Sequence, residues 1–225
     1  MQILGLTDPA GDPVVTFALE HGADPVQVSN GLGFSVVRPL SADLVDGDIV
    51  VRLLVDASPN GDAPAPRPPG RDADLVLAPG EVPTVRQRIA AYALVRSERG
   101  LLATEFSDRT AVPGLWGLPG GGIDPGEAPE TSVVRELAEE TGQPVDLGSL
   151  RRIQTSHWVG RAPNGSVEDF HAVRLVYDGC CSDPSDPIVS DIGGTTESAR
   201  WVALDDWRSL AWTAGWQEIL ADLLV

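Results

Sequence analysis

Residues Gly121 to Gln143 place a glycine-rich turn directly before a helix studded with carboxylates, and few arrangements tolerate that combination. Glu136, Glu139 and Glu140 stand at i, i+3 and i+4, so a helix puts them on one face. Like charges at that spacing destabilise a bare helix. Taken alone, they read as a solvated acidic surface. Held together on purpose, they call for a cation, and oxygen-only ligands favour Mg²⁺, with Mn²⁺ admissible. Val133, Val134, Leu137 and Thr141 form the apolar stripe expected to dock on a core. Pro129 suits the first helical turn and Gly142 the residue just past its end, which predicts a helix over about 129–141.

The full spacing carries more. Gly121, then Glu127, then the run Arg135-Glu136-Leu137-Ala138-Glu139-Glu140-Thr141-Gly142 follows the pattern G-x5-E-x7-R-E-U-x-E-E-x-G-U, with U a bulky apolar residue. On these residues the chain resembles the Nudix hydrolase family. Only the last position departs, where Gln143 replaces an apolar residue, a change that bears on packing more than on chemistry. Trp116-Gly117-Leu118-Pro119-Gly120-Gly121-Gly122 resembles the strand and turn preceding the motif in that family, and Ala199–Leu204 with Asp205-Asp206-Trp207 resembles its late strand and turn. The resemblance covers roughly residues 86 to 225 and implies an α/β/α sandwich with a mixed sheet.

Composition bounds the partners. A formal net charge of −17 and only 16 basic residues besides histidine, all arginine, argue against a nucleic-acid phosphate surface. An acidic protein that handles an anionic substrate needs local compensation, which a divalent ion and a few arginines provide. The two cysteines are adjacent, Cys180-Cys181, and read as small residues at a strand end rather than redox partners. Neither a signal segment nor an apolar run of membrane-spanning length is visible, so a cytoplasmic protein is expected.

The expected organisation has two parts. Residues 1–75 read as a small β-rich, antiparallel N-terminal domain plus a Pro-rich linker (Ala57–Asp74), and residues 84–225 as the Nudix domain. The N-terminal part is short for a core of its own, so it is expected to pack on the catalytic domain or on a second subunit, as in a homodimer. Strands are expected near Arg88–Val95, Gly100–Phe106, Leu150–Val159 and Phe170–Tyr177. Asp178–Thr196 is expected to be a mobile loop, and Thr213–Leu224 a closing helix.

The resemblance implies hydrolysis of a diphosphate linkage in a nucleoside diphosphate derivative, either a nucleoside triphosphate or an ADP-ribose-like nucleotide sugar. By motif position Glu136 and Glu140, with Glu139, are the metal ligands, joined by the carbonyl of Gly120 or Gly121. Arg135 orients the carboxylates, and Glu127 supports the junction of loop and helix or simply favours the helix dipole. Members of the family draw the general base from the motif or from a distant loop. Glu139 and Glu197 are therefore candidates, with Glu168 as rival; either loop residue can equally be an exposed charge. Trp116, Trp158 and His157 can line a base pocket or merely pack. Arg88, Arg152 and Arg174 are phosphate partners or solvated strand charges, and His171 is structural. Pro163 and Tyr177 fall at spacings that mark no subfamily. The alternative function is a Nudix-fold nucleotide sensor without turnover, which the intact glutamate set disfavours.

Overall fold

The first strands of the chain build a four-stranded sheet. The computed structural model describes residues 1–58, 68–162, 164–190 and 193–224. Strands β1 (Gln2–Leu6), β2 (Val15–Ala18), β3 (Phe34–Val45) and β4 (Asp48–Ala57) lie in the order β2-β1-β4-β3. Alternating apolar residues place Ile3, Val51, Leu53 and Val55 in the core. Asp46 and Gly47, both at positive φ, close the β3–β4 hairpin as Asp-Gly turns do. The short helix α1 (Pro25–Gly31) starts at Asp24, whose side chain accepts from the N–H groups of Val26 and Gln27.

This sheet is mixed, not antiparallel as expected: β1 pairs with β4 in parallel. Parallel neighbours need a crossover, and here β2, α1 and β3 intervene between them. The stretch read as linker also holds a strand, β5 (Gly70–Arg71), paired in parallel with Trp158 and Val159. Of that stretch, residues 59–67 lie outside the described residues, as does Pro163 among the subfamily markers.

The second sheet contains β6 (Thr84–Ser97), β7 (Gly100–Phe106), β8 (Trp116–Gly117), β9 (Gly120–Gly122), β10 (Asp146–Arg161), β11 (Val167–Cys180) and β12 (Thr196–Val202). Its path runs β12-β7-β6-β11-β10-β5, with β8 on β7 and β9 on β6. Helix α2 (Pro129–Thr141) carries the glutamates; a 3₁₀ turn (Leu204–Ser209) and helix α3 (Ala214–Leu223) close the chain. The architecture is α/β with mixed sheets. Among the described residues no helix is long and apolar enough to cross a membrane.

The contacts divide the chain into two units. One comprises Met1–Ala91, Gly122–Pro129 and Ser149–Val176; the other comprises Tyr92–Gly121, Glu130–Gly148 and Tyr177–Val225. In the second unit Val133, Leu137 and Thr141 bury the inner stripe of α2, together with Leu94, Leu101, Leu118, Ile219 and Leu220. Val134, expected in that stripe, is exposed. One residue advances a helix by about 100°, so Val133 and Val134 cannot both face inward along a narrow seam.

Candidate active site

Helix α2 grades its three carboxylates by depth. Glu140 is buried, Glu136 keeps 18% of its side chain exposed and Glu139 44%. Both oxygens of Glu140 are held. Oε2 accepts from the Gly120 N–H at 2.8 Å, and Oε1 accepts from the Thr196 hydroxyl. Gly120 adopts φ +135°, a region that favours glycine, and this orientation turns its N–H toward the helix. The N–H of this glycine turn thus serves Glu140.

Gly121 answers to a different demand. A Cβ at this position would stand 2.5 Å from Oε1 of Glu136, so any side chain would evict that carboxylate. Arg135 supplies the local cation. Its Nη1 reaches Glu136 Oε1 at 3.0 Å and Glu139 Oε2 at 3.2 Å, and its Nη2 lies 3.4 Å from the Ser132 hydroxyl. One guanidinium nitrogen thus spans the two more exposed glutamates and sets their spacing.

The C-terminal end of α2 is covered by the segment expected to be mobile. The N–H of Ile188 donates to the Thr141 carbonyl at 2.9 Å, and Ser190 donates from its N–H and hydroxyl to the Glu139 carbonyl at 2.8 and 3.0 Å. Orphan helix carbonyls need donors, and this loop provides them. Gln143 anchors the same loop. Its Oε1 accepts from the Ser185 N–H at 2.9 Å, while its Nε2 donates to the Ser185 hydroxyl and the Thr141 carbonyl. The one departure from the motif is therefore a polar latch.

Glu197 sits on β12 where the register shifts between Thr196 and Ser198, and its side chain is exposed. Such bulges re-aim side chains. Here the bulge allows Thr196 to turn inward to Glu140 while Glu197 faces solvent. Sequence reasoning missed Thr196. The only signal was its place beside Glu197 at the start of a strand.

The remaining candidates are placed as follows. Trp116 is 7% exposed, and the guanidinium of Arg200 lies 4.4 Å over its ring. Trp158 is half-buried against Phe170, ring centroids 4.7 Å apart. Arg88 lies alongside Gly122, where a Cβ would come within 2.7 Å of its guanidinium. Arg174 donates to the Ser156 hydroxyl at 2.8 Å, and Arg152 lines a groove with Arg38 and Arg151. Glu127 accepts from the Asp124 N–H at 3.2 Å, closing the turn before the helix. Glu168 is ion-paired to Arg86 at 2.8 Å. His157 hydrogen-bonds Asp169 and packs edge-on against the rings of His21 and His171. His171 is fully buried, and that burial, aided by the rings of His21 and His157, lowers its pKa to about 4.

An all-oxygen cluster on a rigid helix, backed by a glycine turn that leaves room for it, can hold a hard divalent cation. The family model described as the NUDIX domain matches residues 86–223. The chain belongs to the Nudix family and is an enzyme of the Nudix hydrolase class. It is 30% identical over 129 residues to the nucleoside triphosphatase NudI of Enterobacter sp. (strain 638), spanning 56% of this chain and 89% of that protein. The NudI of Klebsiella pneumoniae (strain 342) is 29% identical over 128 residues, spanning 56% of this chain and 88% of that protein. Among solved structures, the MutT protein of Methanosarcina mazei Go1 aligns with a TM-score of 0.45 at 24% identity, over 61% of this chain and 92% of its own.

Proposed function

We infer that this enzyme hydrolyses a diphosphate linkage in a nucleoside triphosphate, using Mg²⁺ or Mn²⁺ held by Glu136, Glu139 and Glu140 beside Gly121. The observation that carries this reading is the graded carboxylate face of α2: one glutamate buried and doubly hydrogen-bonded, and two bridged by Arg135. The likeness to proteins named nucleoside triphosphatase, covering most of their length, favours the triphosphate over a nucleotide sugar. We assign the chemistry to residues 84–225 and read residues 1–75 as an accessory part.

When bound, the cation neutralises diphosphate oxygens and acidifies a water molecule. The donor set fits such an ion: three carboxylates on one helix, no nitrogen or sulfur among them, and a Gly121 backbone that lets the Glu136 carboxylate approach where a Cβ would displace it. The chain's own residues do the rest. Gly120 and Thr196 hold Glu140 in a single orientation, so little reorganisation is needed. Arg135, bonded to both Glu136 and Glu139, offsets their mutual repulsion and keeps the two side chains side by side. Glu139, the most exposed of the three, and Glu197, exposed at the bulge, are our candidates for the group that accepts a proton from water, which their exposure supports.

No feature favours a silent sensor, since every motif carboxylate is present. The deciding experiment measures phosphate and pyrophosphate release from a nucleotide panel with Mg²⁺ and with EDTA. Turnover of a triphosphate with Mg²⁺ that EDTA abolishes is the expected result. A full panel without turnover at any divalent ion overturns the reading.

A further inference from the structure

All three histidines of the sequence gather in one place, His21 coming from far along the chain to meet His157 and His171. Ring centroids of His21 and His157 are 5.0 Å apart, and His171 stands 5.6 and 6.0 Å from them. Asp169 completes the group. Its Oδ1 faces Nε2 of His21 at 2.9 Å and Nε2 of His157 at 2.5 Å, so two imidazoles converge on one carboxylate oxygen. One ligand atom from each of His21, His157 and Asp169 lies within 4.8 Å of the other two.

The surroundings are built for this convergence. Gly22, at φ +76°, passes so close to His157 that a Cβ there would meet its Nδ1 at 2.6 Å. Asp24 ties the same turn to β10 by accepting from the Thr155 hydroxyl at 2.6 Å. The Gln87 amide lies 2.8 Å from Nδ1 of His171, which orients that ring. Nδ1 of His21 is buried without a well-formed hydrogen bond among the described residues.

We propose that His21, His157 and Asp169 form a binding site for a borderline divalent transition ion of the zinc type. Two imidazole nitrogens and one carboxylate oxygen suit such an ion, and the hard-cation set on α2 does not resemble it. The three side chains keep 20–28% exposure, which leaves a further coordination position open to water. His21 lies outside residues 86–223, the segment matched by the family model, so the ion would staple the N-terminal segment to strands of the Nudix domain. Metal binding then becomes stability, because the unfolded chain has no such site.

The test uses the full chain, stripped by chelator and dialysed into excess Mg²⁺ so that the carboxylates of α2 are occupied. Zn²⁺ is titrated calorimetrically and Co²⁺ by its visible absorption. Wild type is expected to take up one equivalent of Zn²⁺ with a rise in melting temperature. His21→Gln and Asp169→Asn should each weaken uptake at least about tenfold, while Glu136→Gln/Glu140→Gln should bind Zn²⁺ as wild type does. Circular dichroism confirms that each variant is folded, and Asp169→Asn keeps the side-chain shape if His21→Gln does not fold. Zinc uptake that follows the α2 glutamates instead of the histidines overturns the proposal. So does no uptake at all, which leaves Asp169 as an ordinary shared acceptor.

Discussion

Thr196 donates its hydroxyl to Oε1 of Glu140, a contact between the start of β12 and the last turn of α2. Glu140 is buried, so its charge depends on such donors. Thr196→Val removes one donor and keeps the shape. It is expected to cost about 1–3 kcal/mol of stability and to slow turnover about tenfold by loosening the carboxylate. Urea melts and steady-state kinetics check both. Wild-type kinetics in a destabilised variant would show that the contact serves folding alone.

Gly121→Ala separates function from fold. The added methyl meets only the flexible end of Glu136, so the carboxylate swings away while the backbone stays. Turnover should fall at least about tenfold with the melting temperature nearly unchanged. A fully active variant would remove Glu136 from the cation shell.

The two loop glutamates should respond differently. Glu197 is exposed at a bulge, and Glu197→Gln is expected to slow turnover about tenfold if it takes the proton from water. Glu168 is engaged with Arg86, so Glu168→Gln should leave the rate within about twofold of wild type. The opposite ranking would exchange their roles.

Gln143→Leu restores the apolar residue of the family pattern and breaks the latch to Ser185. Losing these hydrogen bonds should cost about 1 kcal/mol. It should also open residues 181–190 to proteolysis, since their donors cover the end of α2. Limited digestion followed by mass spectrometry reads the result; an unchanged cleavage pattern counts against the latch.

The adjacent cysteines differ in access. Cys180 is exposed and Cys181 buried, neither is in a disulfide, and burial raises the Cys181 pKa. A thiol reagent should titrate one cysteine quickly in the native protein and two in urea. Two fast thiols would place Cys181 at the surface.

What could be read in advance was local. The bounds of α2, its capping glycine and the shared face of Glu136, Glu139 and Glu140 follow from spacing within about four turns of one helix. Val134 was misplaced because a two-residue apolar run cannot say which member faces the core. The parallel pairing of β1 with β4 was hidden, as was β5 inside a Pro-rich stretch, because strand partners are chosen across long separations that periodicity does not encode.

The sequence by itself determined the chemistry's raw material: a rigid acidic helix face behind a glycine turn, and through it the family. Tertiary structure alone decided which donors hold those acids. Thr196, Gly120 and the loop at 188–190 reach α2 only after folding. His21 likewise finds Asp169 across 148 positions of chain. Helical spacing is written in neighbouring residues, whereas a hydrogen bond between distant segments exists only once burial has brought them together.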